Sequence, residues 1–248
     1  PSSAPSSARQ AADDAARSGD WREALRSIGA EQPPPPARAD PTPKVGRFDM
    51  PAGPAPSEAG APDGAAVPGF PPPGIVVGQA SIDPAAGPLA HLDSLEAVAK
   101  AAGACTNCAL HASAKHVVPG EGRPGAGFVC VGEAPGANED ESGRPFVGQA
   151  GQLLTKILGA INFSREDVFI CNVLKHRPPA NRNPTPDEIL ACTPFLLRQL
   201  ELLRPRVILA LGTFAAQTLL QTTQPVGKLR GQVHRYYGVP LIVTYHPA

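Results

Sequence analysis

The chain has 248 residues, of which 31 are proline and 25 glycine, and its 22 Lys and Arg balance 22 Asp and Glu. That proline share is roughly double the average, which argues against order from end to end, and zero net charge excludes a strongly basic, tail-like nucleic-acid binder. No apolar run approaches the roughly 18–20 residues of a membrane span, and no secretory leader opens the chain, so a cytoplasmic protein is expected.

Residues 1–88 are rich in Ala, Pro, Gly, Ser and Asp, with proline runs at Pro33–Pro36 and Pro71–Pro73. Such a segment buries too little apolar surface to offset its ordering entropy, so a disordered tail is expected. Within it, Trp21, Leu25 and Ile28 recur at helical spacing. A short helix at 8–30 is predicted, either docking loosely or holding a protein partner on a tether.

All five cysteines and all six histidines lie from residue 89 onward, in a mildly basic second part. About 160 residues suffice for one hydrophobic core. Phe128–Val131 is a candidate buried strand, and 149–161 carries Leu153, Leu154, Ile157 and Leu158 at helical spacing. A second strand is predicted at 168–174. Thr185, Pro186, Asp187 and Glu188 then open a helix running to about 203, with a cap, a first-turn proline and acids facing the positive helix end. A third strand at 207–211, a helix through 220 and a fourth strand at 241–245 follow. Strands alternating with helices imply an α/β fold with a parallel sheet covered on both faces in three layers. Sites in such folds sit at the carboxyl ends of strands. Here those ends read Gly132-Glu133, Lys175-His176, Gly212-Thr213 and His246-Pro247.

Four segments carry chemistry. Cys105 and Cys108 form a CxxC pair, with His176 and Cys192 far along the chain as closing ligands. A zinc site of three Cys and one His, or a [4Fe–4S] cluster with one imidazole, both satisfy this set. Cys171 is an alternative fourth ligand, although its strand context, like that of Cys130, reads as core. Gly132 to Gly136 and Gly143 to Gly151 form a Gly/Pro-rich loop ahead of a helix. Glu133 follows the strand directly, and Phe146 offers a flat surface for stacking. Glu139, Asp140 and Glu141 read as a solvated acidic turn. Asn172 carries both a donor and an acceptor and could read a base edge, with Lys175, Arg177 and Arg182 as phosphate partners. His246 sits at a strand end opposite Glu133.

Together these segments resemble the iron–sulfur (family 4) uracil-DNA glycosylases. The resemblance rests on GEAPG…ED…G.PFVG.AG.LL at 132–154, CNVLK.RPP.NR…P..DEI..C at 171–192, VILALG at 207–212, YHPA at 245–248 and CTNC at 105–108. It covers roughly residues 98–248. It implies a uracil-DNA glycosylase-like fold, a monomer acting on uracil-containing DNA, and a DNA-repair hydrolase that flips the base and cleaves its N-glycosidic bond. In that reading Phe146 stacks on uracil, Asn172 reads its polar edge beside Gly132, and His246 donates to O2. Glu133 positions or activates water, or stabilises the sugar cation. Lys175, Arg177 and Arg182 hold the DNA backbone. Cys105, Cys108, His176 and Cys192 hold a structural [4Fe–4S] cluster. His176 stands where most relatives have cysteine, as it does in a neighbouring branch that traps uracil-DNA covalently. That branch's basic loop has no counterpart here, so trapping is not expected. Relatives continue beyond YHPA, so a C-terminally truncated member is expected. A non-catalytic iron–sulfur DNA-binding module is the alternative. A Rossmann-type nucleotide binder is disfavoured, since no G-x-G-x-x-G follows a strand.

Overall fold

A computed structural model describes residues 71–78 and 89–248. The amphipathic stretch at 8–30 and most of the expected tail lie outside the described residues. Among the described residues seven strands form one sheet in the order β1-β6-β7-β5-β3-β4-β2. Its centre is β7 (Val239–Thr244), β5 (Val207–Leu211), β3 (Phe128–Gly132) and β4 (Phe169–Asn172), all parallel. These are the four predicted strands, with ends shifted by up to two residues.

The remaining strands make the sheet mixed. β6 (Val233–Tyr236) runs antiparallel to β7, and β2 (Glu121–Gly122) antiparallel to β4. Tyr237 and Gly238 link β6 to β7 with φ of 47° and 81°, the two-residue turn with positive φ at both positions that matches strand twist. β6 escapes a hydrophobicity reading because its buried positions are His234 and Tyr236. His234 tolerates burial because both ring nitrogens are paired. Nδ1 accepts the Ile75 N–H at 2.9 Å, and Nε2 donates to the Leu229 carbonyl at 2.7 Å.

That first bond belongs to β1 (Pro73–Val77), which pairs parallel to β6 at the sheet edge. The boundary expected at residue 88 is therefore corrected. Pro73–Val77 lies inside the predicted tail in sequence and inside the sheet in structure. A proline at the first position of an edge strand costs no ladder bond, so the proline-rich composition there does not exclude a strand.

The two sheet faces are covered unequally. Residues such as Val129, Val131, Cys171, Ile208, Ala210, Leu241 and Val243 pack under α5 (Pro186–Leu203) and α6 (Thr213–Leu220). Cys130, Ile170 and Leu211 point the other way, under Leu154 and Leu158 of α4 (Gln149–Ala160). The two-residue alternation within each strand sorts these sets. Leu153 and Ile157 of α4 remain exposed, so only half of its predicted apolar set is core. Two further helices, α1 (Leu95–Gly103) and α2 (Leu110–Ser113), precede β2. A third, α3 (Ala137–Ser142), follows β3, and α7 (Val226–Leu229) precedes β6. No helix among the described residues is long and apolar enough to cross a membrane.

Removing residues 1–78 should lower the melting temperature by at least about 3 °C relative to removing residues 1–70. That is the shift for roughly 1 kcal/mol in a domain this size. Equal melting temperatures would mean that β1 contributes nothing.

Candidate active site

The path from β3 through α4 leads to β4 on one side. The path from β4 through α5 crosses to β5 on the other. The strand order thus reverses between β3 and β5, and a crevice opens there at the carboxyl ends. Gly132 ends β3, Asn172 ends β4, Gly212 follows β5, and His246 lies two residues past β7.

These residues form a narrow slot. A Cβ on Gly132 would lie 2.4 Å from Asn172 Oδ1 and 2.5 Å from the Phe146 ring, so only glycine fits. The Phe146 ring lies 5.6 Å from the His246 ring, tilted by 30°. Gly212, at φ +89°, would place a Cβ 3.1 Å from the His246 Cβ. Asn172 is 1% exposed, and its Oδ1 is the one buried side-chain nitrogen or oxygen among the described residues without a hydrogen-bond partner. An orphaned buried acceptor costs about 1–3 kcal/mol, which a ligand donor would recover. Burial pushes the Glu133 carboxyl up. Burial pushes the His246 imidazole down, only partly opposed by the Glu139 charge, which favours the neutral ring with one N–H donor.

The slot wall is held by charges that the sequence reading placed in solvent. Glu139 on α3 is no part of a solvated turn. Its Oε1 accepts the Val147 and Gly148 N–H groups at 2.7 and 2.8 Å, and Oε2 accepts that of Gly136 at 3.1 Å. Asp140 is buried, and its Oδ1 accepts the Lys115 and His116 N–H groups at 2.8 and 3.2 Å. Only Glu141 faces water, paired with Lys115. From the other side, Arg165 donates to the carbonyls of Phe146 and Pro145 at 2.8 and 2.7 Å. Arg165 is itself paired with Glu121, which also accepts Arg144 Nε at 2.7 Å. Burial raises the Glu121 carboxyl, but the hydrogen bonds from Arg144 and Arg165 outweigh it and hold the group below its ordinary value. These contacts keep Phe146 at φ +52°, a left-handed conformation that a bulky side chain rarely adopts. Glu139 had a local signal, since it stands three residues after Gly136 at the spacing of a capping box. Glu121 and Arg165 had none, being 44 positions apart.

The expected DNA-backbone cations fare differently. Lys175 is 1% exposed, and its ammonium donates to the Asn172 carbonyl at 2.6 Å and to Gln199 Oε1 at 2.7 Å. It cannot reach a phosphate and instead ties the end of β4 to α5. Arg182 is engaged bidentately by Glu188 at 2.9 and 2.6 Å. Arg177 is bonded to Asn181 and stands 3.9 Å from Asp140, which leaves it the least committed of the three.

The expected cluster ligands fall on one side of this site. Cys105 and Cys108 are partly exposed between α1 and α2, and Cys192 is buried on α5. Burial pushes the Cys192 thiol up to about 11, opposed by the Lys175 backbone N–H on its sulfur, while Cys108 and Cys105 lie within electrostatic reach. His176, the next residue after Lys175, is buried, which pushes its imidazole down. Cys171 lies on β4 opposite Val131, inside the apolar core. Among the described residues no three His, Cys, Asp or Glu side chains are drawn in around a single-ion position. Three thiols and an imidazole have the chemistry of either a zinc site or a [4Fe–4S] cluster.

Comparison with known proteins gives the chain a family. The family model of the uracil DNA glycosylase superfamily matches residues 119–248. The chain is similar to the type-4 uracil-DNA glycosylase of Saccharolobus solfataricus, with 46% identity over 63% of this chain and 77% of that protein. It is 49% identical to the type-4 enzyme of Pyrobaculum aerophilum, over 58% of this chain and 78% of that one. Identity to the type-4 enzyme of Archaeoglobus fulgidus is 46%, over 63% and 83%.

Glu139→Gln should lower stability by about 1–3 kcal/mol, because an amide has one acceptor oxygen for three N–H groups. Denaturant melts of both proteins would measure it. An unchanged midpoint would show that the carboxylate does not hold the loop.

Proposed function

The chain belongs to the uracil DNA glycosylase superfamily, and from that premise we propose that it is a type-4 uracil-DNA glycosylase that opens base excision repair by hydrolysing the bond between uracil and deoxyribose. The observation that carries the reading is the unpaired Asn172 Oδ1, buried beside the Phe146 ring and Gly132. Uracil presents a donor at N3 and an acceptor at O4. The Asn172 amide matches both, with Oδ1 accepting and Nδ2 donating. Cytosine reverses both groups and leaves two buried mismatches, a discrimination worth several kcal/mol.

A stacked base cannot reach such a slot, so the nucleotide is extruded at a cost of a few kcal/mol. Phe146 stacks on the extruded ring. As the C1′–N1 bond breaks, negative charge collects on uracil and positive charge on the sugar. Neutral His246 donates to uracil O2, where the negative charge grows. Glu133, directly after β3 and half-buried, orients the attacking water and opposes the sugar's positive charge as a carboxylate. Lys175 positions Asn172 from behind through its backbone carbonyl.

Cys105, Cys108, Cys192 and His176 are the residues proposed to hold a [4Fe–4S] cluster. The Lys175 N–H on the Cys192 sulfur supports His176 as fourth ligand, since His176 is the next residue in the chain. Cys171 faces the hydrophobic core instead. When bound, the cluster cross-links the α1–α2 loop to α5 and the end of β4 and supplies no electrons to hydrolysis.

Single-turnover uracil release tests the reading. His246→Ala should slow release about 10²–10³-fold, the usual loss for one donor aimed at developing charge. Asn172→Asp should be worse than Asn172→Ala, because it adds charge beside an anionic leaving group. DNA binding without release by the unmutated chain would favour the non-catalytic module.

The pH dependence of the same rate tests Glu133. Its folded carboxyl is raised, so the ionised form is lost at a higher pH than for an ordinary glutamate. The rate should fall on acidification at a higher pH than an ordinary glutamate would set. Glu133→Gln should abolish that limb, and a limb that persists would assign it elsewhere.

Iron content tests the ligands. His176→Ala should lose iron and the absorbance near 400 nm, and Cys171→Ala should keep both. The reverse pattern would make Cys171 the ligand.

A further inference from the structure

Lys175 is buried and Arg182, though exposed, is held by Glu188, which turns the search for cations that meet the substrate strand to other parts of the domain. Residues 202–248 contain five Lys and Arg and no Asp or Glu. Arg204 and Arg206 precede β5 and lie at the amino ends of the parallel strands, away from the slot. Arg235 donates to the Gly238 carbonyl in the β6–β7 turn, at that same distant end. Lys228 and Arg230 differ. They lie on and just after α7, and antiparallel pairing of β6 with β7 brings the start of β6 opposite the end of β7. They therefore stand at the carboxyl edge, where His246 is. Both are exposed, and neither has a carboxylate partner among the described residues.

Arg230 is also placed. Its guanidinium carbon sits 4.1 Å from the centroid of the Tyr245 ring. Tyr245 immediately precedes His246 and is 54% exposed, while its hydroxyl lies along α7, 3.9 Å from where a Cβ on Gly227 would be. A large exposed aromatic ring next to the slot, backed by an unneutralised guanidinium, has the chemistry of a single-strand platform: a face for a base and a cation for a phosphate.

We propose that Arg230 and Tyr245 bind the damaged strand next to the extruded nucleotide, the guanidinium on a phosphate and the phenol ring against the flanking base. The proposal rests on the excision reading, which places the extruded base between Phe146 and His246. Stacking of this kind tolerates any neighbouring base, because every base has a π face. The pair would hold the strand while the uracil occupies the slot.

The test is binding of the full chain to a labelled single-stranded oligonucleotide that carries one tetrahydrofuran abasic-site analogue, followed across a salt series. Arg230→Gln should raise Kd about tenfold at low salt and reduce the slope of log K against log salt by about 0.7, the loss of one phosphate contact on a single strand. Tyr245→Ala should raise Kd about tenfold with the slope kept, and Tyr245→Phe should bind as the unmutated chain does. Melting temperatures equal to the unmutated protein show that the variants are folded. An unchanged slope in Arg230→Gln, or an unchanged Kd in Tyr245→Ala, overturns the proposal. A Tyr245→Phe loss as large as that of Tyr245→Ala also overturns it, since it assigns the hydroxyl and not the ring. Uracil release by the unmutated chain is measured alongside. Release with silent variants overturns the platform alone, whereas variant effects on binding without any release overturn the excision reading alone.

Discussion

The Glu139 carboxylate, gripping the backbone N–H groups of Gly136, Val147 and Gly148, is the interaction on which the site depends. It pins both ends of the loop that carries Phe146. Arg165 holds the carbonyls of the same loop from the opposite side, so a strained aromatic residue is fixed by ionic hydrogen bonds to main chain and not by packing alone. Bonds of this type are shorter and stronger than neutral ones, and several of them outweigh the cost of one left-handed residue. Gly151 completes the arrangement, since a Cβ there would fall 1.8 Å from the Phe146 carbonyl oxygen. The wall of the slot is thus rigid before any ligand arrives, which is the condition for stabilising charge that exists only in the transition state.

Behind the slot the buried polar groups form a chain. Gln199 donates to the Pro119 carbonyl at 2.6 Å and accepts from Lys175, which in turn donates to the carbonyl of Asn172. Each member of the chain is satisfied until Asn172 Oδ1, where it stops at an empty acceptor. Unsatisfied polar atoms are rare in native cores, and this one faces the crevice between β3 and β5. The same Lys175 lends its backbone N–H to Cys192, so the Asn172 end of β4 and the thiol-rich side of the domain meet within the four residues 172–175. Any ligand that organises Cys105, Cys108, Cys192 and His176 is therefore coupled to Asn172 through rigid backbone over a short path.

The cations of the domain divide by partner. Arg144, Arg165, Arg182 and Arg198 are paired with carboxylates and brace loops and helix ends. Pairing neutralises them, so their number says little about affinity for a polyanion. The acid-free stretch 202–248 supplies charge without that internal compensation, and it includes His246 at the slot.

Much of the architecture was legible in the chain. The four central strands, the helices between them and the carboxyl-edge positions of Gly132 and His246 follow from local periodicity and capping, which short windows contain, whereas β4 ends at Asn172, ahead of the edge expected at Lys175. The Thr185–Glu188 capping box is one such local signal, and it starts α5 where expected. β1 and β6 were not legible, because their burial depends on each other through His234, and neither has the alternation of a strand on its own. The roles of charged residues were least legible of all. Lys175 and Arg182 have the composition of phosphate binders, yet Lys175 became an internal strut and Arg182 a surface partner of Glu188, and Glu139 and Asp140 have the composition of a solvated turn and became the frame of the site. A charge goes where its partners are, and partners such as Glu121 for Arg165 or Gln199 for Lys175 are brought together only by the fold. The sequence by itself thus determined the order of the central strands and helices and the family. The tertiary structure alone decided which polar groups were spent on holding the site and which were left unpaired to meet a ligand.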